Sequence, residues 1–287
     1  IAMMRGRLLA AGLALAWLSP AVADEVTGQA TATLDDGPYV FQTTPRHYDA
    51  WWVCDGKVEH DVQRKRRQDT VIAPRCGYGR PAVIPSHVAD AESVPYAGGR
   101  IVALSDIHGQ YDLMVTLLRA HRVIDSNDDW AIGRDHLVVT GDVFDRGDKV
   151  NEVFWLLFRL QQQAHAAGGA VHFLLGNHET MVLYDDLRYV NPKYIEVARL
   201  LGRPYSALYG KDTVIGGWLR TRPVLLRLGD TLFLHGGIAP ENLDLVAGID
   251  ATNAAYRGSL GIAKDTVKAN PATARLYDGK RSPIWYR

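Results

Sequence analysis

The stretch HLVVTGDVFDRG, at residues 136–147, is the part of the sequence from which the fold follows. Its apolar beginning, residues 136–140, predicts a short buried strand. A glycine and Asp142 follow that strand directly, and a second aspartate lies three residues further along. A strand that ends in a loop of carboxylates beside glycines is the arrangement that a metal centre at the edge of a sheet requires.

Three further strings repeat this arrangement after an apolar run. They are Asp106-Ile107-His108-Gly109, Gly176-Asn177-His178-Glu179 and His235-Gly236-Gly237. The runs before them, at 101–104, 171–175 and 231–234, predict strands, and the last pairs with 224–228 in a hairpin that turns at Gly229-Asp230. Because ligands of open α/β sheets bind beyond the carboxyl ends of the strands, we expect the four strings to converge.

Five side chains in these strings are candidate metal ligands: Asp106, His108, Asp142, Asn177 and His235. Asp106 and His108 are two positions apart and can bind one ion together, while the carboxylate of Asp142 can bridge two ions. Oxygen and imidazole ligands without sulfur favour manganese, iron or zinc over copper or an iron–sulfur cluster. The strings therefore predict a centre of two divalent metal ions.

The order of the four strings carries this prediction, because each string alone is weak. A single Asp-x-His or Asn-His occurs often by chance, and a lone histidine is usually a structural residue. We interpret seven histidines outside the strings as structural: His47, His60, His87, His121, His136, His165 and His172.

The segments between the predicted strands have a helical pattern. Residues 111–121 and 150–166 predict helices, and a pair of glycines ends the second one. Alternation of strand and helix predicts an α/β fold with parallel strands. Four aromatic residues in a helical stretch between residues 181 and 219 are expected to pack in the core or as a cap, with a lid over the site as the alternative: Tyr194, Tyr205, Tyr209 and Trp218.

Residues 1–23 have the pattern of a signal peptide. Met4-Arg5-Gly6-Arg7 is a basic head, residues 8–18 are apolar, and Ala21-Val22-Ala23 provides a cleavage signal. A buried N-terminal helix is the alternative, and the apolar run is short for a membrane span. We expect an exported protein, periplasmic or secreted, with no stable membrane anchor after cleavage.

Residues 24–98 have β character and predict a β-rich N-terminal extension with a connector. Residues 39–41 and 51–53 predict strands, and Asp55-Gly56 predicts a hairpin turn. Cys54 and Cys76 can form a disulfide in an oxidising compartment or remain buried thiols, and the sequence leaves both open.

The charge balance limits the classes of partner. The chain has 287 residues with 32 basic and 32 acidic side chains, so no overall field recruits nucleic acid or an anionic membrane. The basic run Arg64-Lys65-Arg66-Arg67 is interpreted as a solvated face, with a patch that attracts phosphorylated substrates as the alternative.

Together the four strings resemble the signature of the calcineurin-like metallophosphoesterase superfamily, in its phosphoprotein phosphatase branch. The resemblance covers residues 100–287, and we place the domain at 99–287. Further segments resemble the bacterial Shewanella-like protein phosphatases: DGPYV at 36–40, CDGKV at 54–58 and SPIWYR at 282–287. The resemblance implies two mixed β-sheets packed as a sandwich and flanked by helices.

The resemblance also implies which residues hold the two ions. Asp106 and His108 would bind the first ion, Asp142 would bridge, and Asn177 and His235 would bind the second. Members of the family place one more histidine on the second ion, but no histidine follows His235 in this sequence. We expect the chain to be a fragment, truncated at its C-terminus; otherwise the second ion lacks a ligand.

Catalytic roles follow from the same resemblance. His178 is implied as the general acid for the leaving oxygen, held by Asp145, and Arg146 as the residue that grips the phosphate. For Glu179, a local hydrogen bond that shapes the loop is favoured over a catalytic role.

The predicted function is hydrolysis of phosphomonoesters by a dinuclear site and a metal-bound hydroxide, with a phosphorylated protein or a small phosphoester as substrate. The alternative within the superfamily is cleavage of dinucleoside polyphosphates or phosphodiesters. The alternative of another class is a catalytically impaired metal- or phosphate-binding module that lacks the last metal ligand.

Overall fold

The N-terminal part of the chain folds as two antiparallel sheets. The computed structural model describes residues 33–88 and 95–287, so the predicted signal peptide lies outside the described residues. The first sheet contains β1 (Asp36–Thr44), β2 (His47–Cys54) and β3 (Lys57–Arg64), and the second contains β4 (Thr70–Ile72) and β5 (Ala82–Ile84). The predicted turn between β2 and β3 is confirmed, because Asp55 and Gly56 both have positive φ, as a two-residue hairpin loop requires.

A disulfide closes this part of the chain. Cys54, at the end of β2, is bonded to Cys76, which lies between β4 and β5, and the two Cα atoms are 5.7 Å apart. Of the two alternatives that the sequence left open, the disulfide is the one that the structure contains.

The central layer is a parallel three-stranded sheet. Its strands are β6 (Ile101–Leu104), β7 (His136–Val139) and β8 (Ala170–Phe173), in that spatial order. The helices α1 (Tyr111–Ala120) and α2 (Val150–Ala166) form the two crossovers. The predicted strands and helices of this layer are confirmed to within two residues at each end, and the carboxyl ends of all three strands meet at one edge.

Side chains of β7 alternate between two hydrophobic clusters. Leu137 and Val139 join the main core with residues of α2, whereas Val138 packs in a smaller cluster with Leu226 and Leu228. His136 and His172 also lie buried here, with Nδ1 of His136 2.9 Å from Nε2 of His172, and burial lowers the pKa of His136. This placement agrees with a structural role for both.

The smaller cluster is closed by an antiparallel hairpin. It consists of β9 (Leu225–Leu228) and β10 (Thr231–Leu234), and Gly229 between them has a φ of 56°. The predicted hairpin is therefore confirmed, as is the α/β fold class with several sheets. Among the described residues, the parallel sheet packs on this antiparallel unit through the smaller cluster, and neither of the two mixes parallel with antiparallel strands as the resemblance implied.

Helices fill the remaining chain. They are α3 (Asn177–Leu183), α4 (Pro192–Leu200), α5 (Val214–Leu219), α6 (Leu243–Ala247), α7 (Ile249–Ser259), α8 (Lys264–Ala269) and α9 (Pro271–Ala274), with 3-10 turns at Tyr205–Tyr209, Pro240–Asn242 and Arg275–Tyr277. The four aromatic residues between residues 181 and 219 are at most 3% exposed, so they pack in the core and form no lid. Within the described ranges, no helix combines the length and apolarity that crossing a bilayer requires.

The N-terminal sheets and the later chain share one core. The indole N–H of Trp155 in α2 donates to the carbonyl of Pro38 in β1, at 2.9 Å. The N–H of Gln42 donates to the carbonyl of Asp212, just before α5, at 2.7 Å. Residues 33–287 accordingly form a single compact unit, while the domain boundary at residue 98 stays a prediction.

Candidate metal centre

The loops after β6 and β7 are bound to each other by their backbones. The N–H of His108 donates to the carbonyl of Asp142 at 2.9 Å, and the N–H of Gly147 donates to the carbonyl of His108 at 2.9 Å. At Gly147 a side chain would collide with the backbone of Gly109 and His108. The glycines of the two strings are therefore required by the close approach of the loops.

Five predicted site residues have left-handed backbone conformations. Their φ angles lie between 46° and 72°, and the residues are Asp106, His108, Asp142, Asp145 and Arg146. A non-glycine residue in this region costs about 1–2 kcal/mol, so such residues persist only where their surroundings hold them. The clustering of this strain in two loops marks them as a functional site.

The carboxylate of Asp142 is the centre of the site. Its Oδ2 lies 3.2 Å from Nε2 of His235, 3.8 Å from Nε2 of His178 and 3.9 Å from Nε2 of His108. Burial alone would raise the pKa of Asp142, but the hydrogen bond and charge of His235 outweigh it and lower the pKa. Three imidazoles thus surround one buried anionic group.

Potential ligand atoms fall into two overlapping sets around Asp142. The first set is His108, Asp142 and His178, and the second is Asp106, Asp142 and His235, with the ligand atoms of each set within 4.8 Å of one another. Asp142 belongs to both sets, so its carboxylate is the group that could bridge two cations.

Backbone carbonyls orient two of the imidazoles toward the centre. Nδ1 of His108 lies 2.7 Å from the carbonyl of Phe144, and Nδ1 of His235 lies 2.8 Å from the carbonyl of Thr140. A carbonyl only accepts, so Nδ1 carries a proton in both rings, and in the neutral form of either ring the lone pair is on Nε2.

Nε2 of His108 is buried and has no hydrogen-bond partner. A buried acceptor atom that lies near two carboxylates and has no hydrogen-bond partner is what we expect of a ligand to a divalent metal ion. The residues present therefore fit the two divalent ions that the sequence predicts.

Asn177 lies at the same edge of the sheet. It is the first residue of α3 and is 4% exposed, and the N–H of the next residue, His178, donates to Oδ1 of Asp142 at 3.0 Å. The first turn of α3 is thus tied to the central carboxylate.

His178 and Asp145 form a buried pair. Nδ1 of His178 lies 2.5 Å from Oδ2 of Asp145, and Asp145 is 1% exposed. Burial acts to lower the pKa of His178, but the Asp145 hydrogen bond and the charge of Asp142 prevail and raise it. These contacts favour the protonated form of the ring, and its Nε2 faces Asp142.

Arg146, next to the buried Asp145, has an exposed side chain. Its N–H donates to the carbonyl of Tyr189 at 2.9 Å, and its carbonyl accepts from Nδ2 of Asn191 at 2.8 Å. Burial lowers the pKa of His108, and the positive charge of Arg146 acts in the same direction.

Glu179 shapes the loop rather than facing the site. Its two oxygens accept from the N–H groups of Gly176, Asp142, Val143 and Phe144, at 2.7–3.3 Å. The side chain is fully buried. The last three of these bonds bind the first turn of α3 to the loop after β7, as the local interpretation of Glu179 expects.

Sequence reasoning missed the segment that holds the Arg146 loop. Tyr189 and Asn191 bind the backbone of Arg146, and Nζ of Lys193 donates to the carbonyl of Asp148 at 2.6 Å. The Asn-Pro pair before α4 signals a helix start. Nothing in that local signal indicates which loop the segment contacts.

The position of Arg287 is a second finding that local patterns do not provide. Its guanidinium lies 3.1 Å from Nε2 of His235, so a positive side chain reaches the residues around Asp142. Gly236 and Gly237 allow this approach, because a Cβ at either would contact Tyr286 or Arg287.

Comparisons with known proteins agree with this geometry. The sequence model of the family described as calcineurin-like phosphoesterase matches residues 99–259. The crystal structure of a cold-active protein-tyrosine phosphatase from a psychrophilic Shewanella species superposes with a TM-score of 0.79 at 41% identity, covering 88% of this chain and 76% of that one.

Two curated relatives carry the name Shewanella-like protein phosphatase. The first, from Plasmodium berghei, is 32% identical over 149 residues, which cover 49% of this chain and 39% of that protein. The second, from Arabidopsis thaliana, is 27% identical over 230 residues, which cover 66% of this chain and 57% of that protein. The chain thus spans about half the length of these curated relatives.

Proposed function

Because the chain belongs to the calcineurin-like phosphoesterase family, we propose that it is a metal-dependent phosphomonoester hydrolase that acts on phosphoproteins. The observation that carries the proposal is the convergence of three imidazole Nε2 atoms on the buried carboxylate of Asp142. The similarity to a protein-tyrosine phosphatase at 41% identity supports phosphotyrosine as the first substrate to test.

The proposed cofactors are two divalent ions, with manganese, iron and zinc as the candidates. Asp106, His108, Asp142, Asn177 and His235 would hold them. When bound, such ions act as Lewis acids on the phosphoryl oxygens and activate water for attack. The oxygen-rich and sulfur-free ligand set supports these metals.

The chain's own residues would do the remaining work. Arg146 presents an exposed planar guanidinium, which can donate two hydrogen bonds to the phosphate. His178 holds a proton for the leaving oxygen, because its Nδ1 is bound to Asp145 and its Nε2 is turned toward Asp142. Asp145 is buried, so the orientation of the ring is fixed before the substrate binds.

The test compares two substrates on the purified protein after loading with Mn²⁺. Faster hydrolysis of a phosphotyrosine peptide than of diadenosine tetraphosphate is the expected result, and the reverse preference would contradict the phosphatase assignment. Metal analysis of the same sample should give two ions per chain. At most one ion, together with no turnover of either substrate, would support the binding module instead.

We extend the proposal to an exported location, in the periplasm or outside the cell. The signal-like pattern of residues 1–23 supports it, and so does the Cys54–Cys76 disulfide, because disulfides persist in oxidising compartments. N-terminal sequencing of the exported protein should begin at Asp24; recovery of an uncleaved chain from the cytoplasm would contradict this location.

A further inference from the structure

His178 lies between two other rings, and these rings limit where the substrate group bonded to the leaving oxygen can lie. Nδ1 of His178 is occupied by Asp145, so Nε2 is the atom from which a leaving oxygen can take its proton. Two rings flank the imidazole: His108, with centroids 4.8 Å apart, and Tyr189, with centroids 5.4 Å apart.

Only one of these two sides is open to solvent. His108 is 6% exposed and turned into the site, whereas Tyr189 is 49% exposed. The group bonded to the leaving oxygen can therefore extend over Tyr189 when that oxygen is within hydrogen-bond reach of His178.

The Tyr189 ring is held in this position. Its carbonyl accepts from the N–H of Arg146 at 2.9 Å, so the residue is tied to the phosphate-binding loop. The guanidinium of Arg188 lies over the ring, 5.5 Å from the centroid, and Asp186 fixes that guanidinium with two hydrogen bonds, at 2.7 and 2.9 Å. A second cation, Lys264, binds Asp186 at 3.0 Å.

We propose that Tyr189 is a specificity-determining residue whose ring packs against the aromatic ring of an aryl phosphate while His178 protonates the leaving oxygen. The proposal rests on the hydrolase function proposed above. A phosphotyrosine leaving group places its phenyl ring directly beyond that oxygen, within reach of Tyr189. A phosphoserine leaving group has only a methylene there and makes no ring contact.

The expected size follows from the energetics of aromatic pairs. A ring–ring contact of this kind changes a rate or binding constant by about threefold to tenfold. Because a serine ester does not make the contact, the loss should fall on the aryl substrate alone.

The test uses two peptides of one sequence that carry phosphotyrosine or phosphoserine. Tyr189→Leu, which keeps apolar volume but removes the ring, should lower the ratio of the two kcat/KM values by about threefold to tenfold. Tyr189→Phe should keep the wild-type ratio, because the ring remains. Leu243→Ala, at a residue 63% exposed on α6, is the control for surface substitution.

Inhibition by phenylphosphonate and methylphosphonate gives a second measurement that needs little turnover. Tyr189→Leu should weaken the phenyl compound selectively, again by about threefold to tenfold. If Tyr189→Leu lowers kcat/KM equally for both peptides and weakens both phosphonates equally, the proposal is wrong and Tyr189 only supports Arg146. An unchanged ratio of the two kcat/KM values would overturn the proposal as well. Failure of the wild-type protein to hydrolyse either peptide would contradict the hydrolase function itself.

Discussion

Replacing Glu152 with glutamine should make the protein more stable at pH 8. Glu152 lies in α2, is 6% exposed, and its Oε2 is buried without a hydrogen-bond partner. A second carboxyl, Asp36, is fully buried nearby, and the two share one cation, Lys193, at 4.0 and 3.6 Å. Burial first, and then the charge of Asp36, raise the pKa of Glu152 from 4.5 to about 7.

The direction of the effect follows from proton linkage. The folded protein keeps a proton on Glu152 that the unfolded chain releases above pH 4.5. The stabilisation is therefore fully present below pH 4.5 and is lost as the pH rises through about 7. Each unit of pKa shift corresponds to about 1.4 kcal/mol, so the loss by pH 8 is at most about 3 kcal/mol.

Urea unfolding of wild type and Glu152→Gln, at pH 5 and pH 8, measures this directly. Because glutamine is neutral at both values, we expect little difference at pH 5 and a gain of about 1–3 kcal/mol for the variant at pH 8. Glu196→Gln, at an exposed glutamate paired with Arg199, is the control and should change little. A variant less stable than wild type at both pH values would refute the reasoning, because the pair with Lys193 would then be net stabilising.

Three further predictions concern the site. Asp142→Asn removes the central anion. Elemental analysis should show that the number of divalent ions retained per chain falls from two to at most one. Retention of both ions would contradict the bridging role of Asp142. His178→Asn should keep the metal content but lower kcat by about a hundredfold or more, with the largest loss for poor leaving groups. His87→Asn, at an exposed histidine, is the control. Full activity of His178→Asn would exclude His178 as the general acid. Glu179→Gln turns an amide donor toward backbone N–H groups that need an acceptor. The free energy of unfolding in urea should therefore fall by about 2–3 kcal/mol. A free energy equal to that of wild type would show that these hydrogen bonds are weak.

Local patterns were sufficient for the central sheet and the outline of the site. The apolar run at 136–140 is buried on both faces, so its strand is visible without knowledge of its neighbours. Asp106 and Asp142 follow two neighbouring strands of the parallel sheet, and their convergence follows because the carboxyl ends of such strands meet at one edge. His235 follows β10 in a separate hairpin, so its place beside them depends on how that hairpin packs.

Local patterns could not predict contacts between elements that are far apart in the sequence. Asp36, Glu152 and Lys193 come from β1, α2 and α4, and no local signal links a carboxyl at residue 36 to an ammonium at residue 193. The disulfide stayed open for the same reason, because pairing depends on the separation of two Cα atoms in space. Tyr189 was missed because its proposed function depends on which ring it lies beside.

The contact between β1 and α2 has a consequence for the order of folding. The carbonyl of Pro38 accepts from Trp155, which follows it by 117 residues. The first sheet emerges early during synthesis, whereas its partner helix α2 is made much later. The apolar face of the sheet is therefore uncovered until α2 is made. Contacts of such long range slow folding and expose strands to aggregation. We therefore expect a chain of this kind to need a chaperone that covers β1 until α2 has been made.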